Sequence, residues 1–529
     1  MKKLIFILII FVSLSNVSAQ IEINSSGQVG VGTTNPQYRL DVAGDARITG
    51  NIFLGSSFNS LGTTSNIALT FKVNNVLAGF TGRSGINNVS FGYGALNPLT
   101  GSTNTAIGYN TLNSNTTGNS NTATGYVALY SNTTGGLNTA TGRSALYSNT
   151  TGNSNTANGS NALYYNTEGS CNTANGYGAL NSNTTGSYNT ANGYKSLFYN
   201  TTGIYNTATG YVALYSNTTG SYNTANGRNA LSSNTTGNFN TANGYFTLRY
   251  NTTGSYNTAT GYVALYSNTT GSYNTANGYY ALQFNTTGNY NTATGFYALR
   301  SNTEGNYNTA IGYYANVNAG DLTNATVIGY NAKATASNQV RIGNSSVTSI
   351  GGYAAWSNIS DGRTKKNIRA NVPGLAFIKL LQPVTYNLDL DAVDELLKSD
   401  DIRIDDPGDS LRIEPSPAEK AIEAKARANK EQQVNSGFIA QDVEKTAQSI
   451  GYDFSGVDVD ENGVYGLRYS EFVVPLVKAV QELSEQNDAK DAAIASLQKQ
   501  SDAKDAAIAL LQKQVNELTV SVSRLMDKE

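Results

Sequence analysis

The chain has 529 residues, of which only 13% are charged, and its formal net charge is −2. This length allows several domains, and the balanced charge lacks the basic excess with which proteins hold nucleic acid. The sequence contains no histidine and a single cysteine, Cys171. Ser-His catalysis, histidine-based metal sites and an internal disulfide are therefore excluded, and we expect no metal, no cofactor and no nucleic-acid partner.

The first residues have the three parts of a secretory signal peptide. Lys2 and Lys3 precede an apolar run over residues 4–14, and small residues follow up to Ala19. The apolar run is too short to cross a bilayer comfortably as an anchor. The sequence predicts a signal peptide over 1–19, cleavage between Ala19 and Gln20, and a secreted or cell-surface protein without an integral membrane segment in the mature chain.

Residues 20–86 predict a small β cap, because short alternating segments are punctuated there by glycine and by Asn35-Pro36. The region 87–350 is a repeat array. The triplet Asn-Thr-Ala recurs at a spacing of 17 residues without a slip, and its copies begin at Asn104, Asn121, Asn138, Asn155, Asn172, Asn189, Asn206, Asn223, Asn240, Asn257, Asn274, Asn291 and Asn308. Such a short fixed period is typical of a solenoid, in which each unit packs only against its neighbours.

Each repeat predicts two short strands separated by two glycine-containing turns. Leucine recurs every 17 residues from Leu112 to Leu299, and alanine does so from Ala106, so these rows are expected to face inward. With neighbouring strands about 4.8 Å apart, thirteen coils would form a rod of about 60 Å.

Aromatic side chains form two further rows, one just before each Asn-Thr-Ala triplet and one after the following glycine. Tyr188 to Tyr307 belong to the first row, and Tyr194 and Tyr211 to the second. Such rows could bind sugars, but a solenoid places its repeats in stacks, which favours rings that pack on one another. Cys171 occupies the first row in one coil and is expected to be a buried or half-buried thiol.

Near the end of the array the spacing tightens, so that Ile328 and Ile342 are fourteen residues apart. The segments 326–330 and 339–344 resemble the repeats of trimeric autotransporter adhesin heads. That resemblance implies a trimer of parallel β-rolls, although the longer array departs from those heads in period and in its tyrosine and asparagine content.

A different composition begins at Trp356. Four blocks, 360–368, 380–386, 437–444 and 469–483, resemble in this order the endosialidase-type intramolecular chaperone of phage tailspikes and tail fibres. The resemblance covers residues 356–485 and implies a small α+β domain that assists trimer assembly. An acidic stretch and an alanine-, glutamate- and lysine-rich helix are predicted as an insertion near 389–433.

The region 473–529 predicts a coiled coil, because apolar residues hold one unbroken heptad frame. Polar residues, among them Asn487 and Lys490, occupy some a and d positions of this frame and weaken the seam without shifting it. Three strands are expected from the trimeric families that the other regions resemble. The apolar a and d positions are Val473, Leu476, Val480, Leu483, Ile494, Leu497, Ile508, Leu511, Val515, Leu518, Val522 and Leu525.

Ser360 and Lys365 match the serine and lysine of the chaperone family's self-cleavage motif. The resemblance implies scission between Ile359 and Ser360, with Lys365 as the base, since no histidine is present. Thr364 replaces the bulky aliphatic residue that is usual in the motif. The alternative from the residues alone is that Ser360 belongs to a capped turn and that Lys365 and Lys366 are a solvated basic pair.

The sequence thus predicts a mainly β protein: a trimeric parallel β-roll or solenoid stalk, then a small α+β chaperone domain and a coiled coil. Its function would be that of an exported homotrimeric adhesin or tail-fibre-type protein that cleaves itself once. Expected partners are two further copies of the chain and a surface glycan or cell-surface receptor.

Two alternatives stay open at this stage. One is a tailspike that degrades a polysaccharide, although Glu168 and Glu304, eight coils apart, are the only carboxylates between residues 87 and 320. The other is a non-cleaving β-solenoid that binds ice or another ligand through its threonine rows.

If the signal-peptide interpretation is right, the mature chain should begin at Gln20, because small residues before the cut suit the peptidase that removes such segments. Intact-mass and N-terminal peptide analysis of envelope and medium fractions would measure this. Recovery of a chain that still begins at Met1 from those fractions would contradict it.

Overall fold

The computed structural model describes residues 21–23, 29–31, 40–42, 70–73, 76–81, 87–96, 101–353, 356–397, 417–460 and 463–527. The predicted signal peptide and its cleavage site, Ala19 and Gln20, lie outside these ranges. The chain forms two compact units, 1–67 and 68–529. In the first unit, β1 (Ile21–Ile23) pairs antiparallel with β2 (Val29–Val31), which pairs parallel with β3 (Leu40–Val42).

The second unit opens with an antiparallel pair, β4 (Thr70–Val73) and β5 (Val76–Thr81). Strand β5 pairs antiparallel with β6 (Val89–Phe91), which is the first strand of a long parallel sheet. The next thirteen strands, β7 to β19, have three residues each and span Thr105–Ile107, Thr122–Thr124, Thr139–Thr141, Thr156–Asn158, Thr173–Asn175, Thr190–Asn192, Thr207–Thr209, Thr224–Asn226, Thr241–Asn243, Thr258–Thr260, Thr275–Asn277, Thr292–Thr294 and Thr309–Ile311.

Within the array every strand residue faces the residue 17 positions later, as Ala208 faces Ala225. The sheet then continues through β21 (Thr326–Ile328) to β23 (Val340–Ile342), where Ile328 faces Ile342, so the predicted tightening of the period is confirmed. A second short pair, β20 (Asn316–Val317) with β22 (Lys333–Ala334), accompanies the last coils. The prediction of two strands in each repeat was wrong, since the 17-residue coils of β7 to β18 hold one strand each and otherwise consist of turns and bends.

The turns explain why the strands are so short. In the coil that begins at Asn206, Val212, Leu214 and Tyr222 all have positive φ, between 49° and 59°, and Gly210 has a φ of 132°. A Cβ atom on Gly210 would lie 2.5 Å from the carbonyl oxygen of Gly227 in the next coil, so only glycine fits there. Left-handed backbone at a residue with a side chain costs about 1–2 kcal/mol. Contacts between coils have to offset this cost in each turn.

Those contacts begin with the apolar interior. The leucines from Leu112 to Leu299 and the alanines of the Asn-Thr-Ala triplets are 0–1% exposed, as predicted. One chain alone supplies this core, because each leucine packs among residues of its own and neighbouring coils. Burial of a leucine side chain contributes about 1.5–3 kcal/mol.

Two rows of buried asparagines hold the coils in register. Asn217, from an Asn-Thr-Thr triplet, donates from Nδ2 to Oδ1 of Asn200 and to the carbonyl oxygen of Gly220, both at 2.8 Å. Asn223, from an Asn-Thr-Ala triplet, donates from Nδ2 to the carbonyl oxygen of Gly237 at 2.8 Å, and its backbone N–H donates to Oδ1 of Asn206 at 2.9 Å. Residues 217–219, Asn-Thr-Thr, fit the Asn-x-Thr sequence at which proteins are N-glycosylated. The amide nitrogen of Asn217 is fully buried and hydrogen-bonded, so it is not accessible to a glycosyl donor in the folded rod.

The aromatic rows stack, as the packing interpretation predicted. The rings of Tyr256, Tyr273 and Tyr290 lie 4.8 Å apart between centroids with planes 4° from parallel. In the second row Arg228 replaces an aromatic ring, and its guanidinium lies 5.6 Å and 5.7 Å from the ring centroids of Tyr211 and Tyr245. Inner ring faces of a stack are covered by neighbours, which leaves mainly ring edges and hydroxyls to the solvent.

The thiol of Cys171 lies in the first aromatic row but is exposed. The expectation that it would be buried or half-buried was wrong. The row lies on the outer surface of the rod, where even a stacked ring such as Tyr273 remains 48% exposed, so a small side chain in that row is open to solvent.

The helices and strands after the solenoid form a small α+β region. They are α1 (Leu375–Ile378), β24 (Val384–Tyr386), α2 (Leu390–Leu396), α3 (Pro417–Gln432), β25 (Asn435–Gly437), α4 (Ala440–Ser449), β26 (Val457–Val459), β27 (Tyr465–Leu467) and α5 (Val473–Met526), with short 3-10 helices at Gly362–Thr364 and Tyr469–Phe472. Strands β24 and β25 pair antiparallel, as do β26 and β27.

This region has its own apolar core, built from Phe377, Val443, Ala447, Phe454 and Phe472. The predicted insertion leaves and rejoins the region at one place, because Val384 faces Gly437 across the β24–β25 pair. Asn387 closes the base of the insertion by donating from Nδ2 to the carbonyl oxygens of Glu431 and Gln433 at 2.9 Å and 3.1 Å.

Helix α5 is 54 residues long, and among its described residues only Pro475 and Ala479 are buried. Its apolar seam is open to solvent in the single chain, with Leu497, Leu511 and Leu518 between 59% and 68% exposed. The mainly β solenoid, the small α+β region and the long C-terminal helix confirm the predicted order of folds.

Deletion of one whole coil, residues 206–222, should leave the rod folded, because Asn223 then takes the place of Asn206 in its ladder and every pairing is kept. Deletion of residues 206–213 should disrupt the fold locally, since it places turn residues opposite the buried asparagine and leucine rows. Circular dichroism and limited proteolysis of both variants would measure this. Equal protease resistance of the two variants would contradict a solenoid with this register.

Candidate functional site

Ser360 and Lys365 meet at the start of the α+β region. The Nζ of Lys365 donates a hydrogen bond to the Oγ of Ser360 at 2.9 Å. The two residues predicted from the motif are therefore brought together by the fold. Ile359, the predicted residue on the other side of the scissile bond, is 90% exposed. The catalytic roles of Ser360 and Lys365 stay a prediction.

A single turn produces this contact. Asp361 is the N-cap of the 3-10 helix Gly362–Thr364, and its Oδ1 accepts from the backbone N–H of Arg363 at 2.9 Å. The hydroxyl of Thr364 donates to the carbonyl oxygen of Asp361 at 2.7 Å. The turn closes when the N–H of Lys365 donates to the carbonyl oxygen of Gly362 at 3.2 Å. Lys365 is thereby turned back towards Ser360, five positions earlier.

The capped-turn alternative is thus also present, since Asp361 caps the turn next to Ser360. The threonine that departs from the family motif adds one of the hydrogen bonds of this turn. A cap and a nucleophile are compatible here because the cap uses the carboxylate of Asp361, which leaves the Ser360 hydroxyl free of that task.

Arg363 forms hydrogen bonds that favour the ionised form of the Asp361 carboxyl. Its guanidinium donates to both carboxylate oxygens, with Nη2 to Oδ2 at 2.6 Å and Nε to Oδ1 at 3.1 Å. This hydrogen bonding holds the pKa of the Asp361 carboxyl below its usual range and raises the pKa of Arg363. The carboxylate is therefore ionised near neutral pH and directed towards Arg363.

The surroundings of the pair are open to water. Every described residue from 356 to 370 is exposed, among them the apolar residues Trp356 at 90% and Ile368 at 77%. A lysine acts as a base only as the neutral amine, which removal from water or a nearby positive charge favours. The single chain therefore has the nucleophile and its partner in contact but lacks a water-excluding site around them.

The other predicted site elements do not converge. Glu168 and Glu304 remain eight coils apart, which is about 40 Å at the spacing of β-strands, so the array offers no carboxylate pair for glycoside hydrolysis. Within the ranges that the structure describes, no three acidic or cysteine side chains form a group that could hold a metal ion. In the same ranges, no helix is both long enough and apolar enough to cross a membrane.

A charged cluster that the sequence did not predict lies where the insertion meets the end of the solenoid. Arg427 on α3 contacts Asp394 and Asp391 on α2 at 2.5 Å and 2.7 Å, and Ser345 from the solenoid end donates to Asp394 at 3.2 Å. Only the acidic stretch and the helix were visible as sequence signals. No spacing pattern links residues 345, 394 and 427.

Residues 360–452 match the family model described as the chaperone of endosialidase. The match begins at Ser360 and covers less than a fifth of the chain, and it confirms the predicted chaperone domain at the C-terminal end. We refer to residues 360–452 as the chaperone segment. No curated protein matches the chain. A long β-solenoid followed by a chaperone segment fits a protein of the tail-fibre or tailspike kind.

Proposed function

We propose that this protein is an exported homotrimeric fibre whose C-terminal part, the chaperone segment together with helix α5, aligns three chains during assembly and then separates itself by cutting the Ile359–Ser360 bond. The observation that carries the proposal is the 2.9 Å contact between Lys365 Nζ and Ser360 Oγ at the first residue of the family match. The proposal includes export through the predicted signal peptide, and a surface glycan or receptor as the target of the fibre.

The open seam of α5 supports association between chains. A solitary 54-residue helix whose leucines are between 46% and 69% exposed leaves a large apolar stripe in water. Packing of three such stripes as a coiled coil would remove that stripe from the solvent, at about 25 cal/mol for each Å² buried. Trimeric assembly is also what the chaperone family implies.

The proposed reaction needs only water besides the chain. Ser360 Oγ attacks the carbonyl carbon of Ile359 while the neutral amine of Lys365 accepts the hydroxyl proton. The C–N bond then breaks, the Ser360 nitrogen takes up a proton and becomes a free amine, and an ester joins Ile359 to Ser360 Oγ. Hydrolysis of this ester leaves a carboxylate on Ile359 and restores the serine hydroxyl.

The exposure of residues 356–370 suggests why the reaction would wait for assembly. Water weakens the electrostatic interactions of exposed groups. Proton transfer from serine to lysine also requires a lysine amine that has already lost its proton. Burial of Trp356, Ile359 and Ile368 against neighbouring chains would remove water from the pair and favour the neutral amine. Scission would then follow correct assembly and would not compete with it.

The solenoid explains the need for a chaperone. Each coil pairs with residues 17 positions away, and three long rods have to begin in the same register. Until neighbouring coils form, strand edges and apolar rows are exposed. A helical seam that joins three chains first would lower the entropy cost of aligning the rods.

Ser360→Ala should slow scission at least about a thousandfold, because the attacking oxygen is lost, and should still allow trimer formation. Lys365→Ala should slow it about a hundredfold or more, the usual contribution of a positioned base. Intact mass spectrometry against time would measure the fragment that begins at Ser360, and light scattering would measure the oligomer.

Two neighbouring residues provide matched controls for these variants. Ser357→Ala and Lys366→Ala change an exposed serine and an exposed lysine close to the same bond, and both should cut at the wild-type rate. If Ser360→Ala is cut as fast as the wild type in a folded trimer, or if no chain is ever cut at this bond, the self-cleavage part of the proposal fails.

The assembly role has a separate test in α5. Leu511→Asp combined with Leu518→Asp should prevent trimer formation, because an uncompensated charge buried at each of two seam layers costs about 3–5 kcal/mol. Analytical ultracentrifugation would measure the oligomer, and protease resistance would report the state of the rods.

Ala509→Asp combined with Asn516→Asp is the control for this pair. It introduces the same charges at the same spacing on the outer side of the predicted heptad frame and should leave the trimer intact. Trimers of equal stability from both double variants would argue against α5 as the aligning element.

A further inference from the structure

Among the residues that the structure describes, six hydrogen-bonded contacts join the solenoid end to the α+β region, on opposite sides of the Ile359–Ser360 bond in sequence, and we call these six the docking contacts. Each has one partner before residue 348 and the other after residue 390. The pairs are Asn318 with Leu397, Tyr330 with Glu423, Thr335 with Asp460, Ser345 with Asp394, Ser345 with Arg427, and Val347 with Lys430.

Arg427 organises the centre of this contact set. Its guanidinium bonds to Asp394 at 2.5 Å and to Asp391 at 2.7 Å, so it holds helices α2 and α3 of the insertion together. Ser345 lies against the same group, 3.2 Å from Asp394 Oδ1 and 3.5 Å from Arg427 Nη1. The side chains of Arg427 and Asp394 are only 21% and 34% exposed, so this cluster is partly shielded from water.

The remaining contacts extend on either side of that centre. The hydroxyl of Tyr330, in the last coil, donates to Glu423 at 3.2 Å, and the hydroxyl of Thr335 donates to Asp460 at 2.9 Å. Lys430 donates to the carbonyl oxygen of Val347. Four of the six contacts therefore use an ionised side chain of the insertion, and a fifth uses the carboxylate of Asp460.

The interface is not closely packed throughout. A cavity of about 460 Å³ lies between the solenoid end and α3, lined among others by Tyr313, Tyr330, Val347, Ile422 and Glu423. The Oγ of Ser346, which also lines the cavity, is buried without a hydrogen-bond partner. Permanent interfaces are well packed and apolar, whereas polar and loosely packed ones are typical of reversible association.

We propose that the described parts of the insertion, residues 389–397 and 417–433, form a docking element that keeps the severed C-terminal part bound to the end of the solenoid through hydrogen bonds, in most of which the insertion supplies a charged side chain and the solenoid an uncharged group. The partner is the last two coils of the chain's own rod. This inference rests on the proposed scission for its biological setting. Breaking the 359–360 bond removes none of the six contacts, but it does remove the tether that gave them a high effective concentration.

Docking would protect the end of the parallel sheet. Among the described strands, the residue-by-residue pairing joins β23 to β21 alone, and β23 has no extensive contact with β4 at the other end of the sheet. An open strand edge is a template for aggregation. Residues of β26 and β27 lie across a second cavity from Arg341 and Ile342, so the docked domain lies beside this edge and limits access to it while the β23 side chains stay exposed. Release would then require these contacts to break and would not follow from scission alone.

The test separates docking from self-cleavage. Residues 350–356 are replaced by the recognition sequence of an added protease in a chain that also carries Ser360→Ala, so that only the added protease cuts. The cut protein is applied to size-exclusion columns at about 50 mM and at about 1 M NaCl, where the Debye length falls to about 3 Å. Co-elution at low salt is expected because the contacts survive the cut, and high salt should increase the separated fraction by weakening the hydrogen bonds of the charged side chains.

Arg427→Glu in the same chain should raise the dissociation rate at low salt at least about fivefold, because it places a third carboxylate beside Asp391 and Asp394. Arg468→Glu is the matched control: it also reverses an arginine that is bonded to an aspartate, at 2.8 Å, but its partner Asp458 lies in the same α+β region. This control should dissociate at the wild-type rate.

Two results would overturn the proposal. One is separation of the pieces at low salt directly after the cut. The other is retention that neither salt nor Arg427→Glu weakens, which would assign the association to other surfaces. The salt series uses the unaltered docking contacts, so it decides the matter even if Arg427→Glu does not fold. Because the added protease makes the cut, failure of self-cleavage leaves this result unaffected.

Discussion

Buried asparagine amides bonded from coil to coil are the interaction on which the rest of this structure depends. Asn217 and Asn223 each satisfy both their own polar atoms and backbone groups of neighbouring turns. A buried amide that loses its partner costs about 1–3 kcal/mol. A slip of one residue would break these bonds in every coil at once, so the 17-residue register is strongly specified. The contacts between coils offset the free-energy cost of the left-handed backbone only while this register is kept.

That same constraint makes the rod difficult to start. The first coil has no neighbour to bond with, so its asparagines and its leucine gain little until the next coil forms. Elements outside the rod are free of this limitation. Helix α5 has only local backbone hydrogen bonds, and the α+β core is built around Phe377, Phe454 and Phe472 without any contribution from the array. These parts are therefore suited to form early and to bring chains together.

The candidate site combines a geometry that one chain forms alone with an environment that the single chain lacks. The turn capped by Asp361 holds Lys365 against Ser360 without help from any distant residue. What the single chain lacks is an enclosed environment for the pair, and the exposed apolar residues around it are ready to be covered by other chains. Local geometry is thus present in the single chain, whereas the water-excluded environment that the proposed reaction requires would depend on assembly. On either side of the proposed scission point, the insertion and the solenoid end share contacts that are independent of the peptide link.

Much of this arrangement could be predicted from the sequence, because a repeat turns sequence spacing into spatial contact. A residue in the array lies against the residue 17 positions later, so the leucine and alanine rows and the stacked tyrosines could be assigned from the period alone. The Ser360–Lys365 pair was also predictable, since a family motif and a five-residue turn bring it together.

The number of strands in each coil was not predictable, because left-handed residues such as Val212 and Leu214 have side chains that do not reveal their backbone angles. The exposure of Cys171 likewise depended on which way its row faces. The docking contacts were decided by tertiary structure only: Ser345, Asp394 and Arg427 are joined by no period, and ionic contacts between separate elements depend on how those elements pack.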